Sequence, residues 1–316
     1  VRLVYTGSVN EKNASQYAHL PDVDGFVVGR AGLDVEQLAS ICQTLIKTKS
    51  PEVSMSFGQL GGGLPQTLAE GVQELQARPG GGFPRSAMQV KAKRKLFVGA
   101  NWKCSLETWP DVERLVGQLN KRWLASDSSD IDVCVFPPYV FLDSVRRQLC
   151  SELHVGSQNA WDSAPGFKST GVITATMLRS VGCEWVLLGH SDRRNSLGES
   201  DLLIAEKIEK CIGAGVGVNL TIGETSEARQ AGNAMSTLLN QLSVAAAAVP
   251  AEAWSRVIVA YEPVWAIGEG ATPCSPEETQ RVHAALRAWV RDHVGEAASE
   301  AVRLVYTGSV NEKNAS

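Results

Sequence analysis

The sequence predicts an α/β fold with a parallel sheet, because short apolar runs alternate with segments of helical period along most of the chain. Seven runs read as buried strands, at Gly25-Phe26-Val27-Val28-Gly29, Leu96-Phe97-Val98-Gly99, Val133-Cys134-Val135-Phe136, His154-Val155-Gly156, Trp185-Val186-Leu187-Leu188-Gly189, Gly217-Val218-Asn219-Leu220 and Val257-Ile258-Val259-Ala260-Tyr261. Leu304-Val305-Tyr306, or its copy at 3–5, makes an eighth. Apolar residues recur at helical spacing over 34–47, 107–124, 200–213, 227–247 and 277–294. Eight strands interleaved with helices fit a closed barrel and an open doubly wound sheet alike.

With 44% hydrophobic and 20% charged residues the composition is that of a globular enzyme. A net charge of −4 provides no basic surplus for a nucleic-acid backbone, so no nucleic-acid partner is expected. No apolar run approaches the roughly 18 residues of a membrane span, and the first residues have no secretory pattern, so no membrane partner is expected either. The seven cysteines are scattered without a C-x-x-C pair, which argues against a disulfide framework or a zinc site. That distribution fits a reducing, cytoplasmic setting, and neither a metal nor a cofactor is expected.

Residues 1–15, VRLVYTGSVNEKNAS, recur unchanged at 302–316, an offset too long for a stacking repeat. The expected organisation is two strand–helix units in 1–49, a linker in 50–95, six further units in 96–301 and the second copy of the repeated segment in 302–316. The linker carries two Gly-Gly-Gly runs and ends in Lys91-Ala92-Lys93-Arg94-Lys95, read as a solvated basic end.

Four motifs at strand ends carry the chemistry. Gly99-Ala100-Asn101-Trp102-Lys103-Cys104 places a lysine after one strand, and Leu188-Gly189-His190-Ser191-Asp192-Arg193-Arg194 places a histidine where another strand meets a helix. Ala260-Tyr261-Glu262-Pro263-Val264-Trp265-Ala266-Ile267-Gly268 places a glutamate before a proline-started loop, and Tyr306-Thr307-Gly308-Ser309 provides small residues and a hydroxyl suited to a phosphate. In a closed barrel the C-terminal strand ends share one face, where these groups would meet.

Together these motifs resemble the triosephosphate isomerase family, in Asn-Trp-Lys-Cys, Gly-His-Ser-x-Arg-Arg and Tyr-Glu-Pro-Val-Trp-Ala-Ile-Gly, all in family order from residue 96 onward. The family's closing elements, Tyr-x-Gly-Ser-Val and Asp-Gly-Phe-x-Val-Gly, stand ahead of the opening ones, at Tyr5–Val9 and Asp24–Gly29. The resemblance therefore implies a circularly permuted (β/α)8 barrel, with the family's seventh strand to eighth helix in 1–49 and its first strand to sixth helix in 96–301. A closed barrel tolerates this because its first and last elements are neighbours.

The implied activity is the interconversion of dihydroxyacetone phosphate and D-glyceraldehyde 3-phosphate through an enediolate. The roles are the family's, carried over by motif. Glu262 is implied as the base, and His190 as a neutral electrophile kept uncharged by the helix start behind it. Lys103 is implied to stabilise the enediolate and the phosphate, with Asn101 orienting it. The phosphate is implied to rest on backbone N–H groups at Gly268, at Ser309 or its twin Ser8, and at Gly29-Arg30. Asp192, Pro263, Trp265 and Gly270 are implied as support and lid residues within a loop over 263–273. The resemblance also implies a homodimer in which the loop at 160–172 lies beside Lys103 of the partner subunit.

The sequence departs from the family at Asp192, where a glutamate is usual, at Arg30, at Thr307, in the trailing half of the lid and in 166–172. These changes suggest a dimer weaker than usual. They also motivate a rival reading, a catalytically impaired paralogue with a structural or interaction role. A different phosphate-binding barrel isomerase is a second rival, disfavoured by the Asn-Trp-Lys and Gly-His-Ser pair. Of the two identical copies, 1–15 is expected to fill the barrel slot, because it runs on without a break into the following helix. That would make Ser8 the phosphate-contacting serine.

Overall fold

Eight strands, all parallel, close into a barrel in chain order: β1 (Gly25–Val28), β2 (Leu96–Asn101), β3 (Ile131–Phe136), β4 (His154–Ser157), β5 (Trp185–Leu188), β6 (Gly217–Ile222), β7 (Val257–Tyr261) and β8 (Arg303–Tyr306). The computed structural model describes residues 14–49, 94–123, 130–161, 170–267 and 271–307, and only the backbone of Arg30. The expected linker up to Lys93, Ser8, Ser309, Gly268, Gly270 and residues 162–169 lie outside the described residues. The strands read as unbroken apolar runs because helices cover their outer faces while side chains fill the barrel. β1 closes the circle by pairing with β2 from Gly25↔Phe97 and with β8 from Gly25↔Val305.

The outer layer comprises α1 (Ala14–Ala18), α2 (Val35–Lys49), α3 (Trp109–Trp123), α4 (Leu142–Gln148), α5 (Ala175–Ser180), α6 (Asp201–Gly213), α7 (Ser226–Gln230), α8 (Ala234–Ala246), α9 (Pro276–His293) and α10 (Glu296–Ala301). In α3 the buried residues Val112, Leu115, Val116, Leu119 and Trp123 recur at helical spacing and form one face toward the sheet. α9 starts where Ser275 accepts the Glu278 N–H and Pro276 occupies the first turn, where no intrahelical donor is lost. Inside the barrel Phe97, Phe136, Trp185, Leu187, Ile258 and Val305 pack together. The rings of Phe136 and Trp185 use the space left by Gly156 and Gly217, where a Cβ would fall 2.3 and 2.6 Å from them.

Three expectations are corrected. The helix read over 227–247 is two helices, because Gly232 adopts φ +74° and the Asn233 N–H returns to the Ala228 carbonyl, ending α7. The basic linker end is not wholly solvated: Arg94 Nε lies 2.8 Å from Asp24 and Lys95 Nζ 2.6 Å from Asp132, so the described body begins at Arg94. The barrel slot is filled by the second copy of the repeat and not by 1–15, while α1 begins at Ala14 of the first copy. Both copies would bury identical side chains, so connectivity decides. Residues 303–306 follow α10 directly, and Arg287 holds their approach by donating to the Ser299 and Val302 carbonyls at 2.7 and 3.1 Å. A short tether lowers the entropy of closing the strand into place. Ser309, rather than Ser8, therefore follows the strand in the barrel.

The N-terminal mouth of the barrel is plugged by charge. Asp132 meets Lys95, His154 and Arg303, and Arg303 also lies over the Trp185 ring at 4.9 Å. His154 sits between two carboxylates, with Nε2 3.3 Å from Asp132 and Nδ1 2.7 Å from Glu184, and these bonds push its pKa up to about 9. His283, fully buried in α9, is pushed the other way, to about 4, because burial disfavours its charged form.

The two histidines predict a stability optimum near pH 6.5. The His154 contribution is complete below its unfolded pKa of about 6.5 and is lost as pH rises through about 9. The His283 contribution is complete above about 6.5 and is lost as pH falls through about 4. Melting temperatures of His154→Gln should lose the alkaline decline between pH 6.5 and 9, worth several degrees in the parent, while keeping the acid one. An unchanged alkaline limb in that variant would refute the assignment.

Candidate active site

Asn101, Lys103, His190 and Glu262 all stand at C-terminal strand ends, after β2, β5 and β7. Lys103 has φ +47°, a left-handed conformation that side chains disfavour and that no other non-glycine residue among those described adopts. Two contacts hold it there: its N–H donates to Asn101 Oδ1 at 3.0 Å, and its carbonyl accepts from Gln158 Nε2 at 2.8 Å. The same Gln158 nitrogen donates to the Phe136 carbonyl, tying the β2 and β3 ends together. Lys103 Nζ then reaches Asp192 Oδ2 at 2.9 Å, so the shorter acid still spans the gap.

His190 follows Gly189, whose φ of +76° turns the chain at the end of β5. A Cβ there would lie 2.7 Å from the Thr221 carbonyl, so only glycine fits. The Asp192 N–H donates to His190 Nδ1 at 3.1 Å, whereas the Asp192 carboxylate lies farther off, at 3.6 Å. A nitrogen that accepts an amide proton cannot carry its own. Its other nitrogen, Nε2, faces Glu262 Oε1 at 3.3 Å. The turn that supplies this amide is braced below by Glu199, which accepts from Arg193 Nε at 2.8 Å and from the buried Lys207 Nζ at 2.6 Å.

Glu262 is 4% exposed, and its Oε2 accepts the Ser191 N–H at 2.8 Å. Successive amides after β5 thus serve the two groups in turn, Ser191 the glutamate and Asp192 the histidine. Pro263 precedes a short 3-10 turn, Val264–Ala266, and Trp265 within it donates from Nε1 to Glu224 Oε1 at 2.6 Å.

Glu224 is the supporting residue that sequence reasoning missed. It is buried at the end of β6, accepts the Tyr261 hydroxyl as well, and its carboxyl is pushed above the usual range by burial. Arg229 covers the other side of Trp265 at 3.9 Å from the ring. The available signal was an acid directly after Gly223 at a strand end, in register with no motif. Gln158 was missed for the same reason. Of the implied phosphate positions, Gly29 and the Arg30 backbone start a 3-10 turn, Arg30–Leu33, beyond β1.

A closed parallel barrel whose C-terminal strand ends gather a buried carboxylate, an imidazole and a lysine has the layout of an enzyme of the (β/α)8 class. The triosephosphate isomerase family model matches residues 1–45 and 96–316. The chloroplastic triosephosphate isomerase of Arabidopsis thaliana is 40% identical over 231 residues, covering 73% of this chain and 71% of that one. The cytosolic enzyme of Stellaria longipes is 43% identical over 221 residues, covering 70% and 84%, and that of Oryza sativa subsp. japonica is 40% identical over 221 residues, covering 70% and 85%. The chain belongs to the triosephosphate isomerase family, and it is an isomerase acting on triose phosphates.

Proposed function

We propose that Glu262 is the base that carries a proton between the two substrate carbons, with His190 and Lys103 stabilising the charge that develops on the oxygens. Dihydroxyacetone phosphate would lose a C1 proton to the Glu262 carboxylate, leaving an enediolate charged on the C2 oxygen. The hydroxyl proton on the C1 oxygen would pass to the C2 oxygen, and the Glu262 carboxyl would return a proton to C2, giving glyceraldehyde 3-phosphate. The observation that carries this reading is the Asp192 N–H on His190 Nδ1, which leaves Nε2–H as the only donor the ring can offer a substrate oxygen. Lys103 brings a full positive charge to the same face, and Asn101 fixes the backbone from which it extends. The phosphate is assigned to Gly268, Ser309 and the Gly29-Arg30 turn, with Pro263, Trp265 and Gly270 in the loop that excludes water. We keep the strand order as a circular permutation, a reading supported by the family's closing motif at Asp24–Gly29 standing ahead of its opening motif at Asn101–Cys104.

Glu262→Asp should lower kcat by orders of magnitude while KM stays within a few-fold, since the loss falls on the transition state. Steady-state turnover of glyceraldehyde 3-phosphate checks this. Equal activity in the parent and in Glu262→Gln would remove Glu262 from the mechanism.

We also propose a homodimer through the side of this face nearest Lys103. The resemblance places the loop at 160–172 beside Lys103 of the partner subunit, and Tyr139, Val140 and Leu197, 39%, 79% and 63% exposed, are apolar side chains that a second copy would cover. Light scattering should show dimer at tens of micromolar, and Val140→Arg should shift it toward monomer with loss of activity. Monomer with full activity at that concentration would contradict the assignment. The seven unpaired cysteines support a reducing compartment, and we assign the cytosol.

A further inference from the structure

A cavity of about 370 Å³ reaches Glu262 between the β5–α6 connection, the β6–α7 connection and α8. Ser191 and Glu262 stand in its wall, whereas His190 and Lys103 do not, so it is distinct from the face on which the acid–base groups meet. Asn195, Ser200, Thr225 and Thr237 line it with polar groups, and so does Glu199. The Glu199 side chain is 4% exposed, and its two oxygens are used unequally. Arg193, Lys207 and Asn159 all donate to Oε1, at 2.8, 2.6 and 3.2 Å, while Oε2 has no partner among the described residues. A buried carboxylate oxygen left without a donor is costly. An apolar cavity of this size would stay dry, but one walled by a free carboxylate oxygen and hydroxyls holds water.

We propose that this cavity is the route by which the Glu262 carboxyl exchanges its proton with solvent. The proposal rests on the reading of Glu262 as the base. Glu262 Oε2 accepts the N–H of Ser191, a residue of the cavity wall, while Oε1 lies 3.3 Å from His190 Nε2, so the carboxylate stands between the two spaces. A residue only 4% exposed meets water mainly where a cavity reaches it. In the direction of dihydroxyacetone phosphate, the proton taken from C2 of glyceraldehyde 3-phosphate rests on the carboxyl while the enediolate is held. It then returns to C1 of the same molecule, or it is first traded for a proton of a cavity water. In heavy water that trade is RCO2H + D2O → RCO2D + HOD, with no change of charge, and deuterium is then delivered to C1.

Filling the cavity should therefore change where the proton goes more than how fast the enzyme turns over. Ala228 of α7 and Thr237 of α8 both line it, so Ala228→Leu and Thr237→Leu fill it from opposite walls, and Ala228→Ser leaves it open. Glyceraldehyde 3-phosphate is turned over in D2O at low conversion, and proton NMR gives the ratio of product with hydrogen at C1 to product with deuterium there. In each filled variant this ratio should rise about fivefold, the worth of one hydrogen bond lost from the exchange path, while kcat/KM stays within about twofold. Ala228→Ser should keep the parent ratio. Melting temperatures measured alongside establish that the variants are folded. An unchanged ratio in the filled variants, or an equal rise in Ala228→Ser, would overturn the proposal. Parent activity in Glu262→Gln is a separate result: it would remove the base, and the route with it.

Discussion

Asp24 precedes β1 and binds three elements at once, accepting the Leu304 N–H and Arg287 Nη2 on one oxygen and Arg94 Nε on the other. Its own N–H donates to the Leu304 carbonyl at 2.7 Å. Through these contacts one carboxylate fastens β8, α9 and the entry to β2 where the barrel closes. A buried charge is tolerable when it is fully paired, and removal of one partner leaves the others uncompensated in a medium that cannot solvate them. The rest of the molecule depends on that closure. Glu262, His190 and Lys103 come from β7, β5 and β2, and only an unbroken circle of strands brings those three ends to one face.

Once gathered, the groups are tuned by the backbone more than by one another. The amides of Ser191 and Asp192 follow β5 in sequence and face different partners, a carboxylate and an imidazole nitrogen. They can do so because Gly189 turns the chain with a positive φ, which frees the following peptides to point into the site. Lys103 is held in an unfavourable conformation by an amide side chain on each side, Asn101 and Gln158. Backbone strain of this kind persists where surrounding contacts over-determine it, and here the strained residue is the one whose ammonium pairs with Asp192. Asp192 replaces a longer acid yet still pairs with Lys103, so that departure leaves the lysine anchored.

Much of the architecture was legible in the residue pattern. Strands buried on both faces read as continuous apolar runs, and all eight were found, with boundaries differing by at most two residues at either end. The candidate acid–base residues that the structure brings to one face were visible because each stands in a dense local motif at a strand end. What escaped depends on partners far away in the chain. Helices 142–148, 175–180 and 296–301 are too short to show a period. Glu224 becomes a support only because Trp265 and Tyr261 reach it. Arg94 and Lys95 looked solvated because Asp24 and Asp132 are distant in sequence. The identical copies at 1–15 and 302–316 could not be ranked by side chains at all, and the choice followed from the tether to α10.

The electrostatic account converges on the state of one ring. If the Asp192 amide fills the lone pair of His190 Nδ1, the imidazole is neutral and carries its proton on Nε2, the nitrogen that faces Glu262. Nitrogen-15 NMR of the labelled protein at neutral pH measures this directly. The account predicts an unprotonated, hydrogen-bonded Nδ1 and a protonated Nε2 for His190, assigned by its loss in His190→Gln. A doubly protonated ring, or the proton on Nδ1, would contradict it.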